Sequence, residues 1–172
     1  MTHVKVLEAL RFASLKHRDQ RRKDASRSPY VNHLIDVATI LAVAEVDDEE
    51  VLAAAILHDT IEDTDTTEGE LRLAFGDRVT DLVLEVSDDK DLDFKARKQK
   101  QIDSAPSKTP GATLIKLADF TSNLRDLPRA WSHERKKSYV DWIEAVFSRL
   151  NPVHSGLEED LRHAIRSASH RL

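Results

Sequence analysis

Apolar residues recur every three to four positions along nearly the whole chain, the spacing that lines one face of an α-helix. Only four glycines punctuate it, too few for a meander of short strands. The pattern predicts an all-α domain. Val6, Leu10, Ala13 and His17 form a stripe over a first helix at about residues 3–18. The polar stretch "RDQRRKDASRSPY", which holds Pro29, reads as a loop. A second helix, about 32–45, turns Val37, Ile40, Leu41 and Ala44 inward, and His33, four positions before Val37, shares that face. A third, about 48–62, opens with the acids "DDEE", which suit the positive end of a helix dipole. It is apolar on all sides from Val51 to Leu57, as expected of the central helix.

Thr67 and Glu70 then spell a T-x-x-E capping box for a short helix that Gly76 stops. Further helices are predicted at about 78–87 and over "DFKARKQKQIDSA", which carries a basic face. "PSKTPG" breaks the chain, and "ATLIKLADFTSNLRDL" is helical until Pro128. Two last helices, about 132–150 and 157–170, flank "NPVHSG" and read as packing elements. With no repeat or linker in view, residues 1–172 suit one domain, a length that buries about 70 % of the unfolded chain's surface in one core.

Composition narrows the chemistry. Lys and Arg total 26 against 31 Asp and Glu, a net charge of -5, which argues against a general nucleic-acid binder. A small anion remains a fitting partner where basic residues cluster, as they do in "RDQRRK" and "KARKQK". The absence of cysteine excludes a disulfide scaffold and any thiolate ligand or nucleophile, so a metal here would be held by His nitrogen and carboxylate oxygen. Neither a signal-peptide core nor a run of ~20 apolar residues is present, and the expected setting is the cytoplasm, with no membrane and no nucleic acid as partner. The oligomeric state stays open, a homodimer being one option.

The candidate chemistry lies in "AAAILHDTIEDT" and on the helix of Asp119. Asp119 shares a face with Ile115, Ser122 and Asn123, so a carboxylate occupies a core-facing position. Buried alone it is costly, and it must be paired, protonated or bound to a cation. His33, the His58-Asp59 pair and Asp119 thus place two imidazoles and two carboxylates on three inward-facing helices, a mixed N/O set suited to Mn²⁺, Fe²⁺ or Zn²⁺ with positions left for water and substrate. Any one of these residues alone would read as a satisfied core group. Glu62 and Asp63 follow four positions after His58 and Asp59, so on one continuous helix both flank the metal from the same end. A carboxylate beside water acidified by a metal can take its proton, the apparatus of phosphoester or phosphoanhydride hydrolysis.

These residues carry a resemblance. "QRRKDASRSPYVNHLIDVATIL", "AAAILHDTIEDTDTT", "FGDRVTDLVLEVSDDK" and "LIKLADFTSNLRDL" are similar, in order, to the four motifs of HD-domain phosphohydrolases of the RelA/SpoT (p)ppGpp hydrolase type. The resemblance covers nearly the whole chain, and with no room for a synthetase or regulatory module it looks like a small stand-alone alarmone hydrolase. It implies an HD-domain helical bundle that binds one Mn²⁺ through His33, His58, Asp59 and Asp119. Glu62 and Asp63 would be catalytic, holding and activating a water that releases the nucleotide's 3′-diphosphate as pyrophosphate. Arg22 would pack on the purine, Lys23 lie beside it, and Asn123 contact the nucleoside, while Arg97 and Lys98 from the second basic cluster complete the substrate-binding set.

The sequence departs from that pattern at Leu34, where a proline is usual, and at Phe120, Thr121 and Ser122, which replace a basic residue, a leucine and a His or Tyr. Guanine and adenine alarmones, (p)ppGpp and (p)ppApp, therefore both stand as substrates. Two alternatives accompany this reading: an HD phosphatase acting on another nucleotide, such as a nucleoside monophosphate or the 2′-phosphate of NADPH, and a non-catalytic alarmone-binding module.

Overall fold

The computed structural model describes residues 4–24 and 26–172. Residue 3, where the first helix was expected to begin, and Ala25 of the expected loop lie outside them. The described residues form ten α-helices and no strand: α1 (Val4–Lys16), α2 (Val31–Val43), α3 (Glu49–Leu57), α4 (Thr60–Asp63), α5 (Glu68–Phe75), α6 (Asp77–Val86), α7 (Phe94–Ser104), α8 (Pro110–Arg125), α9 (His133–Phe147) and α10 (Ser155–His170). A 3₁₀ turn, Ala105–Ser107, separates α7 from α8.

Helix starts follow side-chain chemistry. Asp48, Thr67, Asp93, Thr109 and Ser132 each accept a backbone N–H of the turn they open, satisfying donors the helix leaves free. Pro110 sits in the first turn of α8, where its missing N–H costs nothing. Gly76 ends α5 at φ 85°, a left-handed conformation open to glycine.

Two helices form the middle of the bundle. α3 buries Val51 and every residue from Ala53 to Leu57, packing against α1, α2, α6 and α8. α8 is equally enclosed, with Ile115 to Ser122 all buried between α2, α3, α6 and α10. Among them are Lys116, Asp119, Thr121 and Ser122, polar groups in a helix that the apolar pattern alone would not have carried to the centre.

One expected helix is two. The third helix ends at Leu57, turns through His58 and Asp59, and resumes as α4. His58 Nδ1 donates to the Ala55 carbonyl at 2.7 Å and Thr60 Oγ1 to the Leu57 carbonyl at 2.6 Å, so side chains take acceptors that a continuing helix would offer to backbone N–H groups. Glu62 and Asp63 therefore do not extend the line of His58 and Asp59 on one rod, as the sequence spacing implied.

The segment between α1 and α2 is a pinned hairpin. Arg22 N–H donates to Ser28 O at 2.9 Å and Tyr30 N–H to Gln20 O at 3.1 Å, across a bridge between Arg21 and Pro29. Ser28 in turn bonds Asp24 through both its N–H and its hydroxyl. This positions Arg22, Lys23 and Tyr30 at the mouth of the bundle.

Candidate functional site

At that mouth α2, the α3–α4 turn and α8 converge. His33 Nε2 lies 3.2 Å from Asp119 Oδ1 and 3.8 Å from Asp59 Oδ2, and His58 Nε2 lies 3.1 Å from Asp59 Oδ2 and 3.6 Å from Asp119 Oδ1. His33, His58 and Asp119 are 2 %, 4 % and 8 % exposed. Ligand atoms bound at ~2.1 Å to one ion sit about 3–3.5 Å from each other, so this spacing suits a single divalent cation. His33, His58 and Asp119 qualify together as a potential metal-holding group.

The nitrogens are prepared for it. His58 spends its Nδ1 proton on Ala55 O, which leaves a lone pair on Nε2, and that atom is buried without a hydrogen-bond partner. His33 Nδ1 faces Ser122 Oγ at 3.0 Å, which directs its Nε2 toward the carboxylates in the same way. Each carboxylate is also fastened. Tyr30 donates its hydroxyl to Asp59 Oδ2 at 2.6 Å, Asn123 donates Nδ2–H to Asp119 Oδ1 at 2.7 Å, and Lys116 Nζ lies 3.3 Å from Asp119 Oδ2.

Electrostatics of the cation-free cluster match its composition. Burial opposes the charged imidazole of His58, but the carboxylates of Asp59 and Asp119 outweigh it and hold its pKa well above the ordinary value. Burial likewise opposes the charge on Asp119 and Asp59; Lys116 leads the groups that keep Asp119 low, and His58 those that keep Asp59 low. In the metal-free chain a proton on His58 Nε2 thus stands where an ion's charge fits, and a bound ion would take its lone pair instead.

Glu62 and Asp63 diverge, as successive helical residues do. Glu62 accepts the backbone N–H of Asp88, on the α6–α7 side. Burial and the charge of Asp59 push its pKa up to about 7. Asp63 faces the hairpin, accepts from Gln20 Nε2 at 2.8 Å, and is raised by burial and by Asp59. Gln20 Oε1 lies 2.5 Å from Nδ1 of buried His17, so a chain of bonds runs from the first helix's last turn to Asp63.

The expected substrate residues separate into two groups. Arg22, Lys23 and Asn123 share a cleft of about 320 Å³ with Tyr30, Asp63 and Tyr139. Arg22 is anchored there by Asp126, its Nε donating to Oδ2 at 3.2 Å. Lys98 lies in a neighbouring cleft of about 720 Å³ that shares Lys23, Trp131 and Tyr139 with the first. Its ammonium sits 3.1 Å from the centroid of the Trp142 ring, and burial with Lys116 nearby lowers its pKa to about 8. Arg97 is not brought in with Lys98. It turns to another cavity, with Lys100 and Lys108, on the far side of α7, because adjacent helical positions point about 100° apart.

Sequence reasoning gave no role to Tyr30 or to the aromatic face of α9, and it placed Ser122 on the face of Asp119 without a partner. Tyr30 stood in the quoted "SPY", and Tyr139 and Trp142 repeat at a helical spacing of three, so both signals existed. α9 is more than a packing element, since Trp142 Nε1 also donates to the Lys98 carbonyl at 3.2 Å. Phe120, unexpected after Asp119, packs edge-on against Trp142 with ring centroids 5.4 Å apart.

Comparison with known proteins gives the chain's family and the fold it shares. The HD domain family matches residues 9–153. The guanosine-3′,5′-bis(diphosphate) 3′-pyrophosphohydrolase MESH1 of Homo sapiens is 49 % identical over 168 residues, 95 % of this chain and 94 % of that protein. The guanosine-3′,5′-bis(diphosphate) 3′-pyrophosphohydrolase of Aquifex aeolicus is 37 % identical over 142 residues, 81 % of this chain and 20 % of that longer protein. A solved structure described as a metazoan orthologue of SpoT that hydrolyses ppGpp and plays a role in starvation responses superposes with a TM-score of 0.92, at 44 % identity and 97 % coverage of both chains.

Proposed function

Because this chain belongs to the HD-domain family, we propose that it hydrolyses purine alarmones of the (p)ppGpp or (p)ppApp class, releasing the 3′-diphosphate as pyrophosphate. The observation that carries the proposal is that His33 and His58 each lie 3.1–3.8 Å from carboxylate oxygens of both Asp59 and Asp119. Its setting is a chain nearly half identical, end to end, to a protein named for that reaction.

The four side chains would hold one divalent cation, which we take as Mn²⁺ on the resemblance to the (p)ppGpp hydrolases; the imidazole and carboxylate donors suit it as they suit Fe²⁺ or Zn²⁺. When bound, it supplies Lewis-acid polarisation of a phosphoryl oxygen and acidifies water. The chain's own groups do the rest. Tyr30 and Asn123 fix the carboxylates, and Ser122 and the Ala55 carbonyl fix the imidazoles. Glu62 and Asp63, on the α7 side and the hairpin side, hold the attacking water and accept its proton. The water oxygen bonds to the phosphorus attached to O3′, the P–O3′ bond breaks, and the departing O3′ takes a proton. Arg22 packs on the purine with Asn123 on the nucleoside, and Lys23 and Lys98 face the phosphates. For Arg97 the placement supports at most an indirect part.

Purified protein with Mn²⁺ and either ppGpp or ppApp is expected to release pyrophosphate. No pyrophosphate from either nucleotide, with metal bound, ends this reading. The breadth of the two adjoining clefts favours one second reading, a phosphatase acting on a larger nucleotide such as NADPH, whose inorganic product would be orthophosphate.

A further inference from the structure

Beside the hairpin, adjoining the Arg22 cleft, lies a cavity of about 500 Å³ between the end of α8, the segment leading to α9, and the end of α10. Arg125, Arg129, Lys136 and Arg171 line it. Acids outnumber bases in this chain, and several of its cations are held by more than one carboxylate: Arg72 bonds three, Arg78 two, and Lys16 two. Arg125, Arg129 and Lys136 make no ion pair among the described residues, and Arg171 spends one N–H on the Leu124 carbonyl at 2.9 Å. Two acidic side chains, Asp24 and Asp126, share the wall; Asp126 is paired with Arg22, while Asp24 keeps its charge under hydrogen bonds from the N–H and hydroxyl of Ser28, so the four cations still outweigh the acids.

Gathering like charges around an open cavity is unfavourable unless an anion joins them. We infer that this cavity is a second anion site, one that takes a compact oligophosphate of the pyrophosphate class. Three features set that chemistry. Guanidinium groups present forked donors matched to phosphate oxygens. No aromatic side chain lines the cavity to stack a base, in contrast to the cleft of Trp131, Tyr139 and Trp142. The volume also exceeds what a single phosphate fills. Asp24 and Asp126 line both this cavity and the Arg22 cleft, so an anion held here sits one side chain away from the nucleotide's place.

The test is a titration of the full, metal-free chain with inorganic pyrophosphate, followed by backbone amide NMR, which reads binding without turnover. It therefore stands or falls separately from the hydrolase proposal. Saturable shifts at the amides of Arg125, Ala168 and Arg171, which line this cavity and not the Arg22 cleft, are expected at millimolar anion. Arg129→Glu with Lys136→Glu should weaken them at least about tenfold, or about 1.4 kcal/mol, while leaving shifts near Tyr30 and Asn123 in place. Should that pair fail to fold, Arg129→Gln with Lys136→Gln is expected to weaken the same shifts to a smaller degree. A parallel titration with GDP asks whether a nucleotide's phosphate tail also enters: shifts with both ligands support the site. Shifts with GDP alone, shifts confined to the Arg22 cleft, or unchanged affinity in the folded variant would overturn it.

Discussion

Ser122 stands 89 residues from His33 in sequence, yet its hydroxyl is the partner that sets which imidazole nitrogen faces the carboxylates. Ser122→Ala leaves that nitrogen free to carry its proton on either side, and the expected loss is roughly 10- to 100-fold in divalent-cation affinity, the range seen for such supporting bonds. Metal titration of stripped protein measures it, and unchanged affinity would remove the orienting role. Asp63→Ala is expected to abolish turnover while nucleotide binding persists, as read by kinetics beside equilibrium binding; an active variant defeats the proposed water activation. Glu62 gives a pH prediction. Its pKa rises from 4.5 to about 7 in the fold, so the native state holds this proton more tightly than the unfolded chain. The resulting stabilisation is complete below about 4.5 and is lost as pH climbs to about 7. Urea unfolding of the metal-free protein should therefore show stability declining across that window, and Glu62→Gln should flatten the decline. His33 and Asp119 were legible because helical periodicity turns them inward, and His58 because it closes an apolar run within a motif of the family the chain resembles. Ser122 and Tyr30 were not, because their partners arrive from other helices.

At the scale of the element, the break between α3 and α4 was hidden by a continuous apolar pattern. Periodicity reports which faces are buried, and side-chain bonds to the Ala55 and Leu57 carbonyls decide where the backbone turns. That turn lets α4 send Glu62 and Asp63 to opposite flanks. The start of α3 was readable: Asp48 accepts from Glu50 N–H at 3.1 Å and Val51 N–H at 3.3 Å. Asp48→Ala is expected to cost about 1 kcal/mol through the lost cap, with little added by its exposed pair with Arg78. Denaturant unfolding checks this; a neutral result would mean that the first turn of α3 draws its stability from packing alone. α9 was read as packing because its apolar stripe suits a core. Its Tyr139 and Trp142 also wall a cleft, a use that depends on Lys98 arriving from α7.

For the whole molecule, an ion bound by residues of α2, the α3–α4 turn and α8 ties three separate stretches into one cooperative unit. A divalent cation at 100 times its dissociation constant is expected to add ~2.7 kcal/mol to unfolding, seen as a higher melting temperature that a chelator reverses. A melting point indifferent to cation and chelator would mean that the cluster binds none. Among the described residues no helix is long and apolar enough to cross a membrane. The sequence by itself determined the all-α class, the inward faces of the main helices and the residue types available to hold a cation. Each of these follows from composition and from a 3.6-residue period, which are local. Long-range packing set the 3.1–3.8 Å spacing of imidazoles and carboxylates, and it chose which cavity or neighbour each of Glu62, Asp63, Arg97 and Lys98 meets once the helical period has turned each adjacent pair apart. Those distances are set by how helices far apart in sequence pack, and the chain's own period carries no record of that.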